Sequence, residues 1–245
     1  MAVKMLKKIN LDGYDFIEGF PGAGLVGPMA VSYLINKLKM DYIGYIESDS
    51  FPPLVSIHNA QPLPLVRFYA SQKNNIVTAF SEFAIPLQMV AEMSSTIYDF
   101  VKKGGMRRIY SIGGIPQPSA SPQDAAPFSV ASMPRLSKET DKAGLKPIAE
   151  GVSTGVSAVL LLKSALNGTE NINIMVPIQQ NIVDPMYAET ALRYITKMIG
   201  ITIDMADLDK EAKMIESKIK ELLSKHKEVE DDRKKIDGTG PSMYA

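Results

Sequence analysis

The stretch YDFIEGF at residues 14–20 runs straight into PGAGLVGPMAVSYLINKL, and together these two segments constrain the fold most. The first reads as a strand. The second turns through glycines and then repeats its apolar residues at helical spacing. A strand, glycine loop and helix in that order commit the chain to an α/β architecture.

The rest of the chain keeps this rhythm. YIGYIES reads as a second strand. LVSIHNA, LPLVRFYA and NIVTAFSEF are short β-rich runs separated by Pro, Gln and Asn. They predict hairpin or meander pairing on part of the sheet, which argues against an all-parallel arrangement. PLQMVAEMSSTIYDFVKKGG predicts a helix, because Met89, Met93, Ile97 and Phe100 recur three or four apart between Pro86 and Gly104-Gly105. RRIYSIGGIPQP predicts a strand running into a glycine turn, followed by a long Pro-, Ser- and Gln-rich connection over 116–127. KPIAEG, the helix VSTGVSAVLLLKSAL, the strand NINIMVPI and the helix MYAETALRYITKMIG come next. Asp184 is the expected cap of that last helix, with Pro185 at its first position. The sum is a three-layer α/β/α domain with a mixed sheet over residues 1–203.

Beyond Met205 the pattern changes. Leu208, Ala212, Ile215, Ile219 and Leu222 follow in alternating steps of four and three, with Val229 later on the same seam, and charged residues fill most other positions. This predicts an amphipathic helix over 204–235, packed either on its own domain or on a partner subunit. HKEVEDDRKK is almost wholly charged, so the far end of the helix is expected to be exposed, and residues 236–245 form a short flexible tail.

Composition narrows the function classes. The 245 residues are 45% hydrophobic and 22% charged, enough for a sizeable core. Lys+Arg 27 balance Asp+Glu 27, so the whole-chain charge gives no reason to bind nucleic acid or an anionic membrane. With no cysteine there are no disulfides and no thiolate chemistry. GVSAVLLLKSAL is interrupted by Lys163 and too short to span a bilayer, so it reads as a core helix. MAVKMLKKIN lacks the apolar run of a signal peptide, and the expected location is cytoplasmic.

Chemical motifs are few. Gly22, Gly24 and Gly27 match the G-x-G-x-x-G spacing of a dinucleotide loop, and Glu47 lies about twenty residues further on, where a ribose-binding acid belongs. One reading is therefore a nucleotide- or dinucleotide-binding enzyme. Against it, Pro28 removes a donor early in the helix whose free amides would hold phosphate. The glycines equally permit a tight turn and close helix–sheet packing. His58 and His226 are the only histidines, and no zinc spacing exists. His58 is expected to be a hydrogen-bonding structural residue, His226 a solvated one, and Glu82 a cap or surface salt bridge. No catalytic residue, cofactor or metal is expected.

The blocks IEGFPGAGLVGPMAVSYLI, FPPLVSIHNAQPLPLVRFY, FSEFAIP and IYSIGGIPQP resemble the proteasome assembly chaperone family, in particular its archaeal homologues. The resemblance runs from about Tyr14 to near Leu223. It implies a nucleoside-phosphorylase-like α/β/α fold, a homo-oligomer without enzymatic activity, and a Gly22–Gly27 loop that serves the fold. Met243-Tyr244-Ala245 is similar to the hydrophobic-tyrosine-any motif with which proteasome activators enter pockets between neighbouring α-subunits. By that resemblance Met243 is an apolar plug, Tyr244 an aromatic anchor and the Ala245 carboxylate an ionic contact. The partner would be the proteasome α-ring, and the role that of an assembly chaperone or an ATP-independent activator. A third reading is a family member whose tail is hidden and whose oligomer serves another protein.

Overall fold

The computed structural model describes residues 1–117, 126–180 and 182–238. At its centre four strands run parallel, in the order β7 (Ile76–Ser81), β2 (Asp15–Gly19), β8 (Arg108–Pro116), β11 (Glu170–Ile178). Most of their residues are buried, polar ones such as Glu18, Thr78 and Asn171 included, because helices cover both faces. On one side the sheet continues antiparallel through β6 (Val66–Ser71), β3 (Asp41–Glu47) and β1 (Ala2–Met5). On the other side β9 (Phe128–Ala131) lies antiparallel to β11, and β10 (Lys146–Pro147) follows β9 in parallel. The sheet is therefore mixed, as expected, with nine strands among the described residues.

Strand alternation sends Ile17, Ile112 and Ile174 to one face and Phe16, Val77 and Ile109 to the other, giving two cores. The first is closed by α1 (Val26–Lys37), α5 (Pro185–Ile199) and α6 (Leu208–Gly238), with Leu136 of α3 (Pro134–Ala143) at its margin. The second is closed by α2 (Leu87–Lys103) and α4 (Gly155–Leu166). Sheet and two helical layers give the three-layer α/β/α architecture.

Local signals work as the residue types dictate. Asp184 caps α5 by accepting from the Met186 amide at 2.8 Å, and Pro185 takes the first helical position. Leu208, Ala212, Ile215, Ile219 and Leu222 are all buried, the first four within the α1/α5 core. Through these residues the helix packs on its own domain.

Several expectations need correction. The runs around Ser56 and Leu63 do pair as a hairpin, β4 (Ser56–His58) with β5 (Gln61–Leu63), but this ribbon stands apart from the main sheet. Pro62 sits within β5, where it has no amide to offer a longer ladder. β8 does not turn at Gly113-Gly114 but runs through both glycines. A Cβ on Gly114 would lie 2.3 Å from the Ala23 carbonyl oxygen, so this glycine lets the loop after β2 approach the strand. α4 is not wholly core, since Leu162 and Leu166 face outward and are exposed. β1, β9 and α3 had no counterpart in the sequence reading.

Candidate functional site

The glycine loop is consumed in packing. After β2 the chain makes one 3-10 turn at Ala23–Leu25 and enters α1, with Gly24 at φ 66° and Leu25 at φ 51°. A Cβ on Gly27 would sit 2.6 Å from the Ile112 carbonyl oxygen, and one on Gly19 would sit 2.3 Å from the Gly27 carbonyl oxygen. A Cβ on Gly24 would press on the Ile178 side chain, whereas Gly22 meets nothing closer than 4.0 Å. Helix α1 thus lies directly on β2 and β8, and Val26 and Gly27 are buried. Glu47 ends β3, which is separated from β2 by β6 and β7, and it pairs with Lys4. In a dinucleotide fold the acidic residue ends the strand beside the first one. The spacing is present without the neighbourhood that would make it a cofactor site.

A polar cluster missed as such by the sequence reading lies on the same face. Glu82 follows β7 directly and is buried, which corrects the expected surface salt bridge. It receives three side chains at once. Arg67 Nη2 donates to Oε2 at 2.8 Å, the Ser56 hydroxyl donates to Oε2 at 2.7 Å, and His58 Nε2 lies 3.0 Å from the same oxygen. Ser56 gives its single proton to Glu82, so Nε2 of His58 carries a proton and shares it between Ser56 Oγ, 3.0 Å away, and the carboxylate. Burial pushes the Glu82 carboxyl upward. The Arg67 charge and the bonds from Ser56 and His58 outweigh that push and hold it below the usual carboxylate range.

Ser, His and Glu converge here, yet they form no nucleophile relay. A relay needs the imidazole to bridge serine and carboxylate through two different nitrogens, whereas here one nitrogen faces both. The arrangement clamps the β4–β5 ribbon onto the sheet, and His58 has the structural role expected of it. Arg67 is buried with its guanidinium 5.1 Å from the ring centre of Phe80, its cross-strand partner. The pairing could not be seen in sequence because Glu82 is 24 residues from His58 and 15 from Arg67.

A second buried acid lies under α4. Glu18 accepts from the Ser157 hydroxyl on Oε1, its Oε2 has no hydrogen-bond partner, it pairs with no cation among the described residues, and burial raises its pKa despite the Ser157 bond. Among the described residues no group of three or more acidic or histidine side chains is placed to hold a metal ion. Nor is any described helix long and apolar enough to cross a membrane.

α6 runs 31 residues to Gly238, and Leu222 is its last buried side chain among those described. Ser224, Lys225 and Glu228 beyond it are exposed. At 1.5 Å per residue the helix carries the backbone about 24 Å along its axis past Leu222. The expected docking residues Met243, Tyr244 and Ala245 lie outside the described residues, as does the side chain of His226.

The PAC2 family profile matches residues 16–223. The chain belongs to the PAC2 family. A relative from Methanocaldococcus jannaschii, described as an uncharacterized protein, is 30% identical over 223 residues, covering 89% of each chain. The crystal structure of Pyrococcus furiosus PbaA, described as an archaeal homolog of proteasome-assembly chaperone, superposes with a TM-score of 0.80 at 29% identity. That match covers 94% of this chain and 99% of PbaA. Pyrococcus furiosus PbaB, described as an archaeal proteasome activator, shares the fold with a TM-score of 0.74 at 24% identity over 90% of this chain and 98% of PbaB. The PAC2 match covers the glycine turn, the Glu82 cluster and the buried part of α6.

Proposed function

We propose that this PAC2 protein is a non-enzymatic homo-oligomer that binds proteasome α-subunits through its C-terminal tails, as an assembly chaperone or an ATP-independent activator. The observation that carries the reading is the match along nearly the whole chain to an archaeal homolog of a proteasome-assembly chaperone. α6 supports it, because this charged helix runs on to Gly238, well past Leu222, its last buried side chain among those described. In this reading Met243 contributes a thioether plug, Tyr244 an aromatic anchor, and the Ala245 carboxylate an ion pair with a basic residue in a cleft between α-subunits. A single tail of this size binds weakly. Several tails on one oligomer facing a ring gain effective concentration, so self-association and ring binding belong together.

The test is capture of proteasome α-subunits by the full chain, by a version lacking residues 242–245, and by Tyr244→Ala. Capture by the full chain alone supports the tail as the docking element, and a rise in peptide hydrolysis by the captured particle then distinguishes activator from chaperone. Equal capture by all three moves the interface to the α/β/α body. No capture by any of them overturns the proteasome reading.

A further inference from the structure

Between α1, the β4–β5 ribbon and α6 lies a cavity of about 630 Å³, within the range of small-molecule sites. Its position follows from the fold. The ribbon stands off the sheet, α6 crosses beyond α1, and the space left between them opens onto β6 and β7. The floor is Arg67, Tyr69 and Phe80, and the walls are the apolar side chains of Ile35, Met40, Leu63 and Ile215. Lys39 and Lys218 stand among the lining residues with Glu82 as the single carboxylate, so lysine and arginine outnumber acid three to one.

Arg67, Ser56 and His58 all bond to Oε2 of that carboxylate, while Oε1 has no hydrogen bond of its own and lies 2.9 Å from His58 Nε2. Lys39 makes no ion pair with any described residue, and Lys218 is paired only with Glu221 on its own helix. Arg67 is buried, and its Nε has no hydrogen-bond partner. A buried guanidinium with an unused donor is costly to maintain, and such groups are normally matched.

We propose that this cavity binds a small organic anion, one carrying a single phosphate or carboxylate on an apolar or planar body. The body lies against Phe80, Tyr69 and the aliphatic walls, and the anionic group meets Lys39 and Lys218. Its described lining includes no residue of the glycine loop and the proposal uses none of the C-terminal docking residues, so it stands independently of the proteasome reading. Its place under the ribbon makes the ligand a bridge between the sheet and α6.

Isothermal titration calorimetry of the full chain tests this with three probes at low salt: adenosine 5′-monophosphate, indole-3-acetate and inorganic phosphate. The expected result is saturable binding of an organic anion with Kd below about 1 mM, and weaker binding of inorganic phosphate. Binding of the nucleotide alone identifies phosphate esters as the class, and binding of indole-3-acetate alone identifies carboxylates. Lys39→Glu reverses an exposed charge at the rim, and Leu63→Trp fills the cavity from the ribbon. Each should raise Kd by about tenfold while the unfolding midpoint stays in place. Failure of both organic anions to saturate, or binding indifferent to both substitutions, overturns the proposal.

Discussion

Glu82→Gln keeps the shape of the buried carboxyl and removes its charge, leaving Arg67 charged in the interior. Both residues are almost completely buried, at 1% and 2% exposure. Breaking a buried pair from one side costs about 3–5 kcal/mol, because the surviving charge is neither solvated nor compensated. In a chain of this length each kcal/mol moves the melting midpoint by about 2–4 °C, so the expected drop is about 6–20 °C. Arg67→Met combined with Glu82→Leu removes both charges and should recover most of that loss, since apolar replacement of a buried pair is often neutral or better. Urea unfolding followed by circular dichroism measures all three proteins. A Glu82→Gln cost below about 1 kcal/mol, or a double variant no better than the single one, would refute the reading of this cluster as a buried clamp.

The remaining predictions concern packing and protonation. Gly27→Ala places a methyl 2.6 Å from the Ile112 carbonyl and should cost about 1–3 kcal/mol by urea unfolding, despite the helical preference of alanine. Ala60→Gly should stabilise by about 0.5–1 kcal/mol in the same assay, because Asn59 and Ala60 both hold positive φ at the hairpin turn, where glycine carries no Cβ penalty. Glu18 has a raised folded-state pKa, so the folded protein binds more protons than the unfolded one above the ordinary value of 4.5, and its stabilising effect fades as pH rises through the folded pKa. Glu18→Gln lacks that dependence, so its stability relative to the parent should increase as pH rises from 4.5, read as a growing difference in urea midpoints. Glu82 works in the opposite sense: its lowered pKa stabilises above 4.5, and that contribution is lost as pH falls through the folded value.

Where the chain's information was local, sequence reasoning found the structure. Pro86 and Gly104 bracket α2, Asp184 and Pro185 open α5, and the seam from Leu208 to Leu222 defines the buried side of α6. Each signal acts within a turn or two of helix. α3 gave no such signal, because Leu136 is its only buried apolar side chain and periodicity has nothing to count. β1 is an exposed four-residue strand, too short and too wet to register as a pattern. The Glu82 cluster is the clearest non-local case. Its four side chains come from β4, β6 and the end of β7, and only the antiparallel register of β6 on β7 and the return of the ribbon bring them together. The glycine spacing misled in the opposite way, since a short pattern fits both a phosphate cradle and a close-packed helix start. Strand order separates the two, and strand order is not written in any short segment.

The two margins of the large sheet limit how one copy of this chain could add to another. β10 is only two residues long and ends in Pro147, and β1 is a four-residue strand bearing Lys4, whose ammonium is tied to Glu47. Neither border offers a long, flat row of free amides and carbonyls for a foreign strand to extend. Runaway edge-to-edge growth is thereby discouraged, and any contact between copies would fall to helical surfaces, where size and symmetry can close.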